Sequence, residues 1–107
     1  MKNENILVAV LDQDGAVHLE TIPNTLEALQ TLVGGYIEIV PSVVRYCDGG
    51  LVDIVNEEGR VMGLGTNKRL PEYVGTVVIA GAAGDELLGL KAHELMMIGM
   101  ELGRRAR

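Results

Sequence analysis

Two short runs of mostly branched aliphatic residues, ILVAVL at residues 6–11 and GTVVIAG at residues 75–81, constrain this chain more than any other feature. A membrane-spanning helix needs about 20 apolar residues, and neither run comes close. Both have strand length and are rich in the β-branched side chains that suit a pleated surface, so they predict buried strands. With no signal-like start either, the chain is expected to be soluble and cytoplasmic.

The elements around these runs follow from local punctuation. Residues 6–11 meet DQDG and then AVHLETI, where Val17 and Leu19 share one face, which predicts a hairpin turning at residues 12–15. In IPNTLEALQTLVGG, Asn24 is placed to cap a helix and Glu27 to reach back, with Leu26, Leu29 and Val33 at helical spacing. Gly34 suits the left-handed position that ends it, so the helix is predicted over residues 25–33. YIEIVPSVV reads as a strand whose Pro41 argues for an edge or a bulge. RYCDGG signals a turn and LVDIVN the strand facing it. After NEEG, RVMGL is expected to form another strand, making residues 56–59 a hairpin turn, while residues 65–74 lack periodicity and Asn67 suits the cap of a short helical turn. AAGDELLGL reads as a second hairpin arm after residues 75–81. A closing helix over residues 91–104 carries a stripe of Leu95, Ile98 and Leu102, with cations in its last turn where the dipole favours them. The predicted fold is α+β: a small antiparallel or mixed sheet, one short helix and a C-terminal helix, in a single domain spanning residues 1–107.

Composition removes several function classes. The chain has 107 residues, three Tyr and neither Phe nor Trp, so Val, Leu, Ile and the five Met must fill the core. Only Tyr36, Tyr46 and Tyr73 are available for base stacking, and a formal charge of −6 runs against phosphate neutralisation, so nucleic acid is not an expected partner. The concentrated cations are Lys68 and Arg69, and Arg104, Arg105 and Arg107 in the tail. Cys47 is alone, which excludes an internal disulfide and a cysteine-built zinc site, and Asp48 beside it disfavours a thiolate. No cofactor and no metal site is expected. LMMIGM in the last helix offers more apolar surface than one sheet face needs, so a homodimer or higher homo-oligomer is expected.

VAVLDQDGAV imitates the aspartyl nucleophile motif of the haloacid-dehalogenase phosphatases, with Asp12 as nucleophile and Asp14 as acid. That chemistry also needs a downstream Ser or Thr, a Lys and an acidic pair for magnesium on a doubly wound sheet. A strand rather than a helix is predicted next, and the chain is short for that architecture. A calcium loop opening at Asp12 fails as well, because its sixth and twelfth positions hold Val17 and Pro23 in place of Gly and Glu. His18 and His93 belong to no metal-spaced pair and no evident triad.

The pattern from Asn24 onward, NTLEALQTLVGGYIEIV, then VNEEGRVMGLGTNKRL, then VGTVVIAGAAGDELLGL, resembles a family of short proteins carried by phages and other mobile elements and known only as a domain of unknown function. The ordered trio of VGGYIE, NEEG and a later Asn carries the resemblance. It implies a phage or plasmid origin and a role acting on host processes.

The glycine-bearing segments hold the candidate ligand-binding residues. Gly34 and Gly35 let backbone approach a ligand, Tyr36 can stack on a flat ring, and Glu38 and Asn56 can meet polar edges. Asn67, Lys68 and Arg69 suit an anion at a helix start. With no base-oriented nucleophile beside them, these residues suggest a non-enzymatic pocket for a nucleotide-derived small molecule; joined to the phage or plasmid setting that the resemblance implies, the concrete expectation is sequestration of a nucleotide signal of bacterial immunity in the bacterial host cell. The alternatives are an acidic module that occludes a host nuclease or DNA-binding protein, and a small hydrolase built on Asp12 and Asp14. The bland reading is turn chemistry along a solvated edge.

Overall fold

The computed structural model describes residues 4–44 and 50–106. The elements are β1 (Asn5–Leu11), β2 (Val17–Pro23), α1 (Leu26–Val33), β3 (Ile37–Pro41), β4 (Leu51–Asn56), β5 (Val77–Ala83), β6 (Glu86–Leu88) and α2 (Ala92–Arg105). All strand pairs are antiparallel, in the order β2-β1-β5-β4-β3, with β6 pairing to β5. The fold is α+β, as the sequence pattern predicts.

The continuous apolar runs are explained by the placement of their strands. β1, β4 and β5 lie inside the sheet, and successive side chains alternate between its faces. Ile6, Val8, Val10, Ile54, Val78 and Ala80 pack under Leu29 and Val33 of α1. Ala9, Leu11, Leu51, Val55, Val77 and Ile79 pack on the other face, where Leu95, Ile98 and Leu102 of α2 meet them. A strand covered on both sides has no polar alternation to show.

The short helix begins one residue later than its punctuation suggests. Thr25, in extended conformation, is the cap, and its hydroxyl accepts from the Ala28 N–H at 3.2 Å. Asn24 does not cap; its side-chain amide donates to the Leu87 carbonyl at 3.1 Å and ties the entry of α1 to β6. Both residue types cap helices, and the contact with β6, 63 residues away in sequence, selects between them. Gly34 ends the helix at φ 82°, its N–H donating to the Gln30 carbonyl at 2.8 Å, as expected. β3 is an edge strand ending at Pro41, where the missing donor costs the ladder least.

RVMGL does not form a strand, and residues 56–59 are not a hairpin turn. Residues 57–63 form consecutive turns closed by local bonds: Met62 N–H to Glu58 O at 2.9 Å, Gly63 N–H to Arg60 O at 3.1 Å and Leu64 N–H to Gly59 O at 2.9 Å. The Asn56 side-chain oxygen starts this winding by accepting from the Glu58 N–H at 2.8 Å, and Val61 is left 90% exposed. The Asn67 side-chain oxygen accepts from the Arg69 and Leu70 N–H groups as a cap does, but no helix follows it; residues 65–76 hold a single bridge, Thr66 to Val74. Residues 57–76 thus cross one end of the sheet from β4 to β5 with little regular structure, and they build the walls described next.

Candidate functional site

The end of the sheet where β3 begins and β4 finishes carries a cavity of about 530 Å³. Glu27, Gln30 and Thr31 of α1 form one side, Gly34, Gly35 and Tyr36 the base, and Glu58 and Met62 the far wall. Three of the expected residues therefore meet here. Tyr36 is 63% exposed, so its ring is available to a visitor, and its backbone carbonyl accepts from the Glu57 N–H at 2.8 Å, which fixes the wall to β3. A Cβ on Gly35 would stand 3.0 Å from the Asn56 Nδ2, so a larger residue here would press on the hydrogen-bonded Asn56 amide. Carboxylates, an amide and a hydroxyl line the cavity, and no cation does.

Asn56 and Asn67 are both hydrogen-bonded within the fold, and Asn56 also lines the cavity that holds Glu38. Asn56 is 5% exposed; its amide donates to the Val33 carbonyl at 3.1 Å, satisfying the end of α1, while its oxygen holds Glu58. Asn67 has no exposed surface. Its amide donates to Leu11 O at 3.0 Å and Gly75 O at 2.8 Å, and its oxygen accepts from the Arg69 and Leu70 N–H groups, each at 2.9 Å. This residue pins residues 66–75 to the end of β1 and supports the walls of the site without facing a ligand.

Lys68 and Arg69 do not join Tyr36. The Lys68 N–H donates to the Gln13 carbonyl at 3.1 Å and the Arg69 Nε to the Gly15 carbonyl at 2.7 Å, which holds both against the β1–β2 turn. That turn lies at the same end of the sheet as Tyr36, but β1 and β3 are three strand steps apart, roughly 14 Å at the usual spacing. Glu38 stands on the opposite sheet face from Ile37 and lines a different cavity with Val40 and Val55.

Under α2 lies a polar cluster that the sequence pattern does not expose. Asp53 is fully buried in β4; its Oδ2 accepts from the Tyr73 hydroxyl at 2.7 Å and the Val43 N–H at 3.0 Å, and its Oδ1 has no partner among the described residues. Burial raises the Asp53 pKa, only partly offset by the Val43 N–H and the hydroxyls of Tyr73 and Ser42. The Tyr73 hydroxyl is itself pushed well above its ordinary value, by burial first and then by its bond to Asp53. The neighbouring Glu72 accepts two bonds from the Arg105 guanidinium, both 2.9 Å, and Glu101, almost fully buried, takes the Arg105 Nε and the Arg104 Nη2, both at 2.6 Å. Arg105 holds both carboxyls below their ordinary range. The available signal was one acid inside LVDIVN, a strand otherwise apolar up to its last residue: a buried Asp needs partners, and Tyr73 is one.

Asp12 and Asp14 form the β1–β2 hairpin turn, where Gly15 N–H donates to Asp12 O at 3.0 Å and Ala16 N–H to the Asp14 side chain at 3.2 Å. A strand follows them, so the strand-to-helix crest that presents a phosphatase nucleophile is not formed here. His18 is exposed and contacts Glu20 at 3.0 Å. No group of three metal-ligating side chains occurs among the described residues, and no helix there is long and apolar enough to cross a membrane. The readings of Tyr46 and Cys47 fall outside the described residues.

Fold and site together define a small antiparallel-sheet domain with a helix on each face and clefts at the end bridged by its long β4–β5 connection. Over residues 4–100 the chain matches the family model described as Domain of unknown function (DUF3846), and it belongs to that family. Comparison with curated proteins and with solved structures found no match.

Proposed function

We propose that this protein is a non-enzymatic binding protein that captures a small flat ligand in the cavity at the end of α1. One observation carries the reading: Tyr36, among the few aromatic side chains of the chain, stands 63% exposed at a cavity of about 530 Å³ edged by Gln30, Thr31 and Glu58. An exposed ring offers stacking that tolerates any planar partner, and the polar rim supplies donors and acceptors for its edges. A nucleobase meets that description. Its phosphates would have to leave the cavity, since Glu27 and Glu58 repel them, and travel roughly 14 Å along the sheet end to Lys68 and Arg69. The ligand class is therefore an extended nucleotide-derived molecule whose base is bound locally and whose phosphates lie outside.

The resemblance to phage-borne proteins gives this capture a purpose, the sequestration of a nucleotide signal of bacterial immunity inside the host cell. A panel of cyclic nucleotides and adenosine diphosphate-ribose derivatives should contain a compound that raises the melting temperature, and Tyr36→Ala should remove that shift while leaving the unliganded protein's melting temperature unchanged. No shift with any member of the panel sinks the reading. Native mass spectrometry of protein purified from a bacterial host reports retained ligand and stoichiometry together. A homodimer is expected through α2, where Met96 and Met100 are 61% and 57% exposed.

A second reading is favoured by charge: the chain carries a formal −6, and Glu38, Glu57 and Glu58 are exposed around the same sheet end. Such a surface suits occlusion of a basic face on a host nuclease or DNA-binding protein. Capture of a host protein that is lost when these three residues are changed to Lys would select it.

A further inference from the structure

A second cavity, about 420 Å³, opens on the α2 face between β3, residues 57–61 and residues 72–74. It lies across residues 57–62 from the Tyr36 cavity and shares no lining residue with it. Its lining combines features that a simple acidic patch lacks. Val40 and Val55 line it as diagonal neighbours on one sheet face, and Tyr73 lines it with its hydroxyl committed to Asp53. Glu72 is neutralised by its two bonds to Arg105. Arg60, Glu38 and Glu57 also line it, and none forms an ion pair among the described residues. An unpaired guanidinium, the two unpaired carboxylates of Glu38 and Glu57 and an apolar floor thus border one small volume.

We propose that this cavity binds a free α-amino acid with an aliphatic side chain, Arg60 taking its carboxylate, Glu38 its ammonium, and Val40 and Val55 its side chain. The charges favour this class. A phosphate or other pure anion would meet Arg60 but face Glu38 and Glu57, and a pure cation would meet the carboxylates but leave the Arg60 guanidinium without a partner. A guanidinium recognises a carboxylate through two parallel bonds, and an ammonium needs an anionic acceptor, so a zwitterion satisfies both walls at once. The apolar floor then favours leucine-like side chains over glycine.

Titration of the full-length protein followed by amide NMR tests this, with leucine, isoleucine, methionine, leucinamide, N-acetylleucine and inorganic phosphate at matched ionic strength. Saturable shifts confined to residues 38–40, 57–61 and 72–74 are expected with the free aliphatic amino acids. Leucinamide lacks the carboxylate and N-acetylleucine the ammonium, so each should bind at least roughly tenfold more weakly, about 1.4 kcal/mol. Arg60→Gln and Glu38→Gln should each weaken leucine binding by a similar factor; both side chains are exposed, so the spectra of the variants should retain the native dispersion. The proposal is overturned if no free amino acid gives saturable shifts, if leucinamide binds as tightly as leucine, if phosphate produces the same shifts, or if Arg60→Gln binds leucine unchanged. Because Tyr36 lies outside this cavity, Tyr36→Ala should leave these shifts intact, which separates this result from that of the nucleotide panel.

Discussion

The two faces of the sheet are closed in different ways. On one, α1 covers Val8, Val10, Ile54 and Val78 with Leu29 and Val33, and the contact is wholly aliphatic apart from Asn56 at its rim. On the other, α2 shares the task with an irregular segment, and the buried set includes Asp53, Asn67, Glu94 and Glu101. The difference follows from backbone accounting. A helix satisfies its own peptide groups and can lay bare hydrocarbon on a sheet. A segment of some twenty residues with little regular structure brings unpaired N–H and C=O groups with it, and side chains must meet them. Asn67 does so inside that segment, at Leu70 and Gly75, and Asp53 meets the Val43 N–H of the β3–β4 connection in the same way.

That contrast can be broken at its strongest point. Asn67→Ala should cost about 4 kcal/mol in urea unfolding, because it strands several buried backbone groups at roughly 1–3 kcal/mol each. It should also accelerate amide exchange across residues 66–76. Leu29→Ala on the aliphatic face should cost about 3 kcal/mol, from lost transfer energy and a cavity, while leaving exchange at residues 66–76 near wild type. A larger loss from Leu29 than from Asn67 would mean that the polar devices organise less of the molecule than their hydrogen bonds imply.

The ion cluster on α2 is the next test. Arg105→Ala should cost about 2 kcal/mol at neutral pH, since the nearly buried Glu101 would be left to Arg104 alone. Glu72 and Glu101 have folded-state pKa values below the ordinary 4.5, so their stabilisation is full above that value and disappears as pH falls through the folded values. The difference between wild type and Arg105→Ala should therefore narrow on acidification, measured by unfolding midpoints over a pH series.

The smallest net change is expected at Asp53. Its folded-state pKa is raised above 3.8, so the folded protein holds a proton that the unfolded chain has released, and stability falls as pH rises from about 3.8 through the folded value. In Asp53→Asn the amide cannot titrate. Its oxygen can still accept from Tyr73 and Val43, while its nitrogen inherits the position of the unpartnered Oδ1. The variant should accordingly gain on wild type as pH rises from about 3.8 through the folded value, whatever the sign of the difference at either end. Parallel profiles would remove the buried carboxyl from the account of this face.

The same contrast explains what could be read from the sequence. The strands at residues 6–11 and 75–81, the Asp12–Gly15 turn, the stop at Gly34 and the Leu95, Ile98, Leu102 stripe all depend on residues within a few positions of one another, so local pattern suffices. The irregular segment was not legible in that way. Asn67 looks like a cap or a ligand contact until Leu11, 56 residues earlier, claims its amide. Asn24 yields the capping role to Thr25 because Leu87 is within reach. RVMGL has strand composition, but the Asn56 side chain and the local backbone bonds after it wind it into turns instead. The site was legible in part. Gly34, Gly35 and Tyr36 are neighbours in sequence and share a cavity, whereas the distance from Tyr36 to Lys68 and Arg69 is set by strand order, which no local pattern carries.

Residues 57–62 separate two cavities, with Glu58 and Met62 facing one and Glu57, Arg60 and Val61 lining the other. A shared partition has a thermodynamic consequence. An occupant that shifted this wall on one side would alter affinity on the other, and linkage would make the effect reciprocal by the same factor. The turn that NEEG begins is the shared partition through which any such coupling would have to pass.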